Sequence, residues 1–174
     1  TRCCCRKIFR CASNLPQSTA LGIRMNKISF KVENRKKYDS GYQESKVDIL
    51  IDGKPLAEIM KEYELPMATK EGNPDLAGDY HAIAVSSSSL KQYYLGKDEA
   101  DWGDEKNKTA ILGCSCGILS CWPLLCKINM QEAKVVWLDF EQPHRDEDWD
   151  YSNFEGFVFD KQQYLDAMDV IDNV

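Results

Sequence analysis

Four cysteines, Cys114, Cys116, Cys121 and Cys126, fall in the short run GCSCGILSCWPLLC. Thiolates hold zinc when closely spaced donors converge on a tetrahedron, usually as a C-x2–4-C pair with a second pair elsewhere. Here the spacing is C-x-C-x4-C-x4-C, no second knuckle follows, and Cys126 lies inside an apolar run. The expectation is therefore four buried, small, apolar side chains. Cys114, Cys116 and Cys121 form the alternative, a structural metal site, and a redox or disulfide role is a further one. A nucleophilic cysteine needs a base, and the chain has only His81 and His144. His144, beside Arg145 and several acids, reads as a solvated or ion-paired side chain.

A second set is Trp137, Asp139, Glu141, His144, Arg145, Trp149 and Tyr151. Lys134 to Phe140 alternates, so Val136, Leu138 and Phe140 point one way and Val135, Trp137 and Asp139 the other. With Glu141 at the same parity, one face carries an indole and two carboxylates, a composition foreign to a core. Two functions suit it. The first is a non-enzymatic binding or adaptor surface for a small molecule, a peptide or a second copy of the chain, with indoles that stack and Arg145 gripping an anion. The second is an enzyme in which Asp139 or Glu141 works with His144 in acid–base chemistry. The plainer account is a sheet face covered by a charged loop. No cofactor is expected.

The elements that must position these residues follow from periodicity. Thr109–Cys116, Leu124–Met130 and Lys134–Phe140 predict an antiparallel three-stranded meander, with Cys114 and Cys116 on one face of its first strand. Upstream, Ile28, Phe30 and Val32 predict one strand, and Val47, Ile49 and Ile51 another, ended by Asp52-Gly53. Leu56, Ile59, Met60 and Tyr63 predict a helix opened by Pro55 and closed at Pro66, with loop over 66–79. Tyr80–Val85 predicts a strand, and Ser86–Ser89 caps a short helix through Tyr93 and Tyr94 that stops at Gly96. In the charged loop that follows, Trp102 reads as a plug held by packing. Phe157 and Phe159 predict a strand, and Asp160-Lys161-Gln162-Gln163 a capping box opening a final helix with Tyr164, Leu165, Met168 and Ile171 inward. The fold class is α+β: one domain, a mainly antiparallel sheet, and a few short helices on one face.

Over 174 residues, 43% are apolar and 29% charged, which suits one globular domain. No apolar run approaches a membrane span, so no membrane contact is expected. Residues 1–24 carry Arg2, Arg6, Lys7, Arg10 and Arg24 without an acid, so against the net charge of -6 the rest sums to -11. An acidic body repels phosphate backbones, and no nucleic acid is expected. The leader, with Cys3, Cys4, Cys5 and Cys11, has no signal-peptide core. It reads as sequence upstream of a start at Met25, irregular or draped on a body spanning 25–174. The chain has no dinucleotide fingerprint, Walker loop, nucleophile elbow, zincin helix or EF-hand loop.

Three stretches carry a resemblance: GCSCGILSCWPL over 113–124, VVWLDFEQPHR over 135–145, and WDY followed by FVFDKQQY up to Tyr164. They resemble a family of small uncharacterised bacterial proteins whose members read GCGCGxxGCWPL and FRQPHR-x-x-W-x-Y-x-x-LGPFxFD-x-x-QY. The resemblance covers about residues 109–165 and implies a bacterial, cytoplasmic, single-domain protein with no mechanism attached. Ser120 and Phe154-Glu155-Gly156 depart from the pattern, which bears on turn geometry. A short acidic body behind a basic leader also resembles the products of mobile integron gene cassettes.

Overall fold

The computed structural model describes residues 24–37, 43–86, 90–97, 107–114, 116, 118 and 120–172. Residues 1–23 of the leader, the Asp39-Ser40-Gly41 turn, Ser87–Ser89 and the Trp102 loop lie outside them. The fold is α+β as expected. Its strands form two antiparallel sheets of four.

The first sheet contains β1 (Ile28–Lys37), β2 (Gln43–Ile51), β3 (Lys54–Pro55) and β4 (Ala84–Ser86), with β3 and β4 both pairing to β2. Ile28, Phe30, Val47, Ile49 and Ile51 are buried, as their alternation predicts, and Ile28 pairs with Ile51 and Phe30 with Ile49. Asp52 and Gly53 both take positive φ, 53° and 83°, which is the twist a two-residue hairpin requires. Asp52 also accepts the Lys27 N–H at 2.7 Å and the Asn26 amide at 2.9 Å. Those bonds, the Lys27 one foremost, hold its carboxyl below the usual range.

Helix α1 (Leu56–Lys70) runs straight through Pro66, so the expected stop and loop are corrected. A proline inside a helix loses one N–H bond, here to the Glu62 carbonyl. Glu62 and Pro66 are both exposed, so the break falls on the solvent side of the helix. Beyond it, Ala68 is fully buried and rewards another turn. A 3-10 turn (Pro74–Leu76) follows where loop was expected, and the segment then crosses to the second sheet. His81 forms a single antiparallel bridge with Gly113; of the expected strand only Ala84 and Val85 pair regularly, in a strand that runs on to Ser86.

Beyond α2 (Leu90–Tyr94), the second sheet runs in order β5 (Thr109–Leu112), β6 (Leu124–Met130), β7 (Lys134–Glu141) and β8 (Phe157–Asp160). The first three are the predicted meander. Strand β7 departs from simple alternation. Between its pairs Leu138–Lys127 and Glu141–Leu125 it holds Asp139 and Phe140, whereas β6 holds only Cys126. This is a β-bulge, with Asp139 at φ 53°. Before the bulge Val135 and Trp137 face the core, and after it Phe140 does. The predicted face assignment is thereby corrected.

Helix α3 (Lys161–Asp172) is capped as its sequence suggests, the Gln163 N–H bonding Asp160 Oδ1 at 2.9 Å. The return half of the capping box is absent. The Gln163 side-chain amide instead pairs with Ile28, accepting its N–H at 3.2 Å and donating to its carbonyl at 2.7 Å. That covers part of the open edge of β1. Tyr164 then joins Phe30, Tyr94, Trp137 and Phe159 in an aromatic core shared by both sheets, with ring centroids 5.1–6.2 Å apart. Among the described residues no helix is long and apolar enough to cross a membrane.

Candidate metal centre

Strand β5 ends at Leu112, so Cys114 and Cys116 lie in a loop and do not share a strand face. The loop is fixed at both ends. Gly113 exchanges two hydrogen bonds with His81, at 2.8 and 2.9 Å, and Pro123 is buried where β6 begins. Between these anchors the chain doubles back, with the Cys121 N–H bonding the Ile118 carbonyl at 3.1 Å. The Sγ atoms of Cys114, Cys116 and Cys121 are brought within 4.8 Å of one another. The Cys116 N–H also points at Cys114 Sγ, at 3.4 Å.

Burial separates these thiols from the fourth. Cys126 is fully buried in β6, where burial pushes its thiol well up, and it is the small apolar side chain expected. Cys114 is half-buried, and Cys116 and Cys121 are exposed, which corrects the same expectation for them. Hydrogen bonds with Cys114 and then Cys116 push the Cys121 thiol up to about 11. The two neighbouring thiols thus disfavour ionisation of Cys121. A cation among them reverses that preference, because it stabilises every thiolate at once.

A cluster of ring systems walls the loop. His144 Nε2 lies 2.9 Å from the Ser120 carbonyl, and its ring stacks on Trp122, centroids 6.4 Å apart. Arg145 sits 5.0 Å above the same indole, and Trp149 meets it edge-on at 6.1 Å. Glu71 ties these together, accepting from Arg145 Nε at 3.0 Å and Trp149 Nε1 at 3.0 Å. The turn itself is set by Gln142, whose Oε1 accepts the His144 N–H at 3.0 Å and whose carbonyl accepts the Arg145 N–H at 2.8 Å.

The chain matches no protein-family model, no curated protein and no solved structure.

Of the predicted binding face, Trp137 is fully buried against Phe159 and Tyr164. Asp139 pairs with Lys127 at 2.8 Å, and Glu141 pairs with Lys108. Neither carboxylate hydrogen-bonds His144, so the acid–base set is not assembled among the described residues. Trp149 and Tyr151 are buried, at 3% and 9% exposure, and Arg145 is engaged by Glu71. Beside this face, among the described residues, lies a groove of about 700 Å³ whose lining includes Lys108 along with Asp139, Glu141, Asp146, Glu147, Asp148 and Asp150, with Trp149 and Phe154.

Two carboxylates escaped the sequence reading. Besides Glu71, Glu64 is wholly buried, accepting Tyr80 and Tyr151 hydroxyls at 2.8 and 2.7 Å and the Gly78 N–H at 2.8 Å. Burial nevertheless raises its pKa. Gly78 takes φ 66°, and a Cβ there would lie 2.4 Å from Lys61 Cβ, so this N–H reaches Glu64 only from glycine. Leu56, Met60, Glu64 and Ala68, four apart, would have placed Glu64 on the buried stripe had the helix been read past Pro66.

Proposed function

We propose that the protein binds a thiophilic metal ion, zinc in the first instance, through Cys114, Cys116 and Cys121. The convergence of three Sγ atoms within 4.8 Å carries this reading. Tetrahedral zinc with bonds of about 2.3 Å places its sulfurs about 3.8 Å apart, so closure needs shifts of about 1 Å. The loop brings the three thiols near that geometry between fixed anchors, and the exposure of Cys116 and Cys121 leaves a path for an ion to enter. The two stretches GCSCGILSCWPL and EQPHR meet here, through Ser120 with His144 and Trp122 with Arg145. The reading carries a location with it, a reducing cytoplasm, where adjacent thiols stay reduced.

Native mass spectrometry of the reduced chain, with and without a chelator, tests it. The expected spectrum shows a zinc-sized increment that the chelator removes. Cys114→Ser, Cys116→Ser and Cys121→Ser should each lose it, while Cys126→Ser should keep it. A bare mass after incubation with zinc overturns the proposal.

A second reading, the binding or adaptor function, is supported by the acidic groove. Its carboxylates and aromatic edges suit a cationic small molecule or basic peptide, which would bind more weakly as salt is raised. Titration with a lysine-rich peptide that shows no saturable, salt-sensitive heat removes this reading.

A further inference from the structure

Resting on the metal reading, a sharper statement follows from where the three thiols sit. We infer that the ion is held by three protein thiolates with its fourth position turned to solvent, so that the site is exchangeable and accepts a small thiolate or imidazole from outside.

The donors Cys114, Cys116 and Cys121 lie within eight residues of sequence, and the described residues flanking them are anchored independently of the thiols. Gly113 is bonded to His81 on one side, and on the other Leu124 and Leu125 enter the core. A structural site draws separate segments together and supplies folding energy. Here the two sheets meet in the aromatic cluster of Phe30, Tyr94, Trp137, Phe159 and Tyr164, to which none of the three thiols belongs. The outer side is open, since Cys116 and Cys121 are exposed and Ile118, between them, is 61% exposed. His144 reaches this loop, yet its Nε2 is engaged with the Ser120 carbonyl and its ring rests on Trp122. It braces the loop beside Cys121 and leaves the ion alone. Among the described residues, three is the full count of converging donors.

An open position is the hallmark of zinc sites that do something with their ion. An incoming thiol that gives up its proton completes the tetrahedron. It then displaces one cysteine thiolate, which takes up a proton in turn, and no electrons change hands. The ion can thus leave for a stronger acceptor by stepwise replacement.

Cobalt(II) loading of the full reduced chain tests this, because its visible bands report coordination directly. The expected result is sulfur-to-metal charge transfer, ligand-field bands that move saturably on adding imidazole or mercaptoethanol, and an apo chain that unfolds cooperatively. His144→Ala should leave the bands in place. Bands that neither additive moves, or that change in His144→Ala, show a fourth protein donor. Either result overturns the open site while leaving the metal reading standing. Failure to bind cobalt or zinc at all removes both.

Discussion

Glu64 is held by three donors, the Gly78 N–H and the Tyr80 and Tyr151 hydroxyls, and still has a raised pKa because burial outweighs them. A carboxyl raised in the folded state contributes stability that is complete below the unfolded value, here 4.5, and is lost as pH climbs through the folded one. Glu64→Gln should therefore flatten part of the decline that sets in above pH 4.5, read as the difference from wild type in urea midpoints. Its amide can keep the Gly78 N–H only by turning its NH2 to the two tyrosine hydroxyls, which must then accept where they now donate, a cost of about 1–2 kcal/mol. Glu64→Ala strands three buried donors and should cost about 3–4 kcal/mol. If the two variants match wild type at every pH, the network is not what holds that corner. The thiol set proposed as ligands stood in the sequence as C-x-C-x4-C only as an alternative to burial, because a cysteine's type does not say whether it lies in a strand or a loop. Arg145 and Trp149 were read as ligand grips. The partner that occupies both, Glu71, stands 74 and 78 residues away in sequence, beyond any local pattern.

At the scale of elements, spacing served well where one period held throughout and failed where the backbone changed period. β1, β2 and α3 follow their alternation or stripe. In β7 the alternation breaks at Asp139, and no residue type announces it, since aspartate tolerates φ 53° nearly as quietly as asparagine. Asp139→Gly should be within about 0.5 kcal/mol of wild type or more stable, since glycine accepts that φ and the exposed pair with Lys127 contributes little. Asp139→Val should cost about 1–2 kcal/mol, because a β-branched residue resists the left-handed region. Equal stability for the two variants in chemical denaturation contradicts the bulge. Pro66→Ala should stabilise α1 by about 1 kcal/mol, since the regained bond to the Glu62 carbonyl outweighs the freer unfolded chain. A loss of stability would mean that the helix depends on its proline.

For the molecule as a whole, class and strand count of the meander were legible, but the division into two sheets was not. The regular hydrogen bonds stay within each sheet. The sheets meet backbone to backbone at isolated bridges, Asn26 with Phe159 and His81 with Gly113, and single bridges have no periodicity to read. Side chains of α3 supply the rest of the union, through Tyr164 in the shared aromatic core. It follows that stripping the ion should leave global unfolding cooperative, with apo far-ultraviolet circular dichroism matching the loaded form. A collapse of that signal on chelation would make the loop a folding element instead.

The His81–Gly113 rung then acquires a use as an internal gauge. It stands one residue from the first thiol and is also a seam between the two sheets. Deuterium uptake at the Gly113 amide should stay slow when the cysteines are emptied or alkylated, and quicken only when the seam itself opens. One amide thereby distinguishes a change of cargo from a loss of architecture.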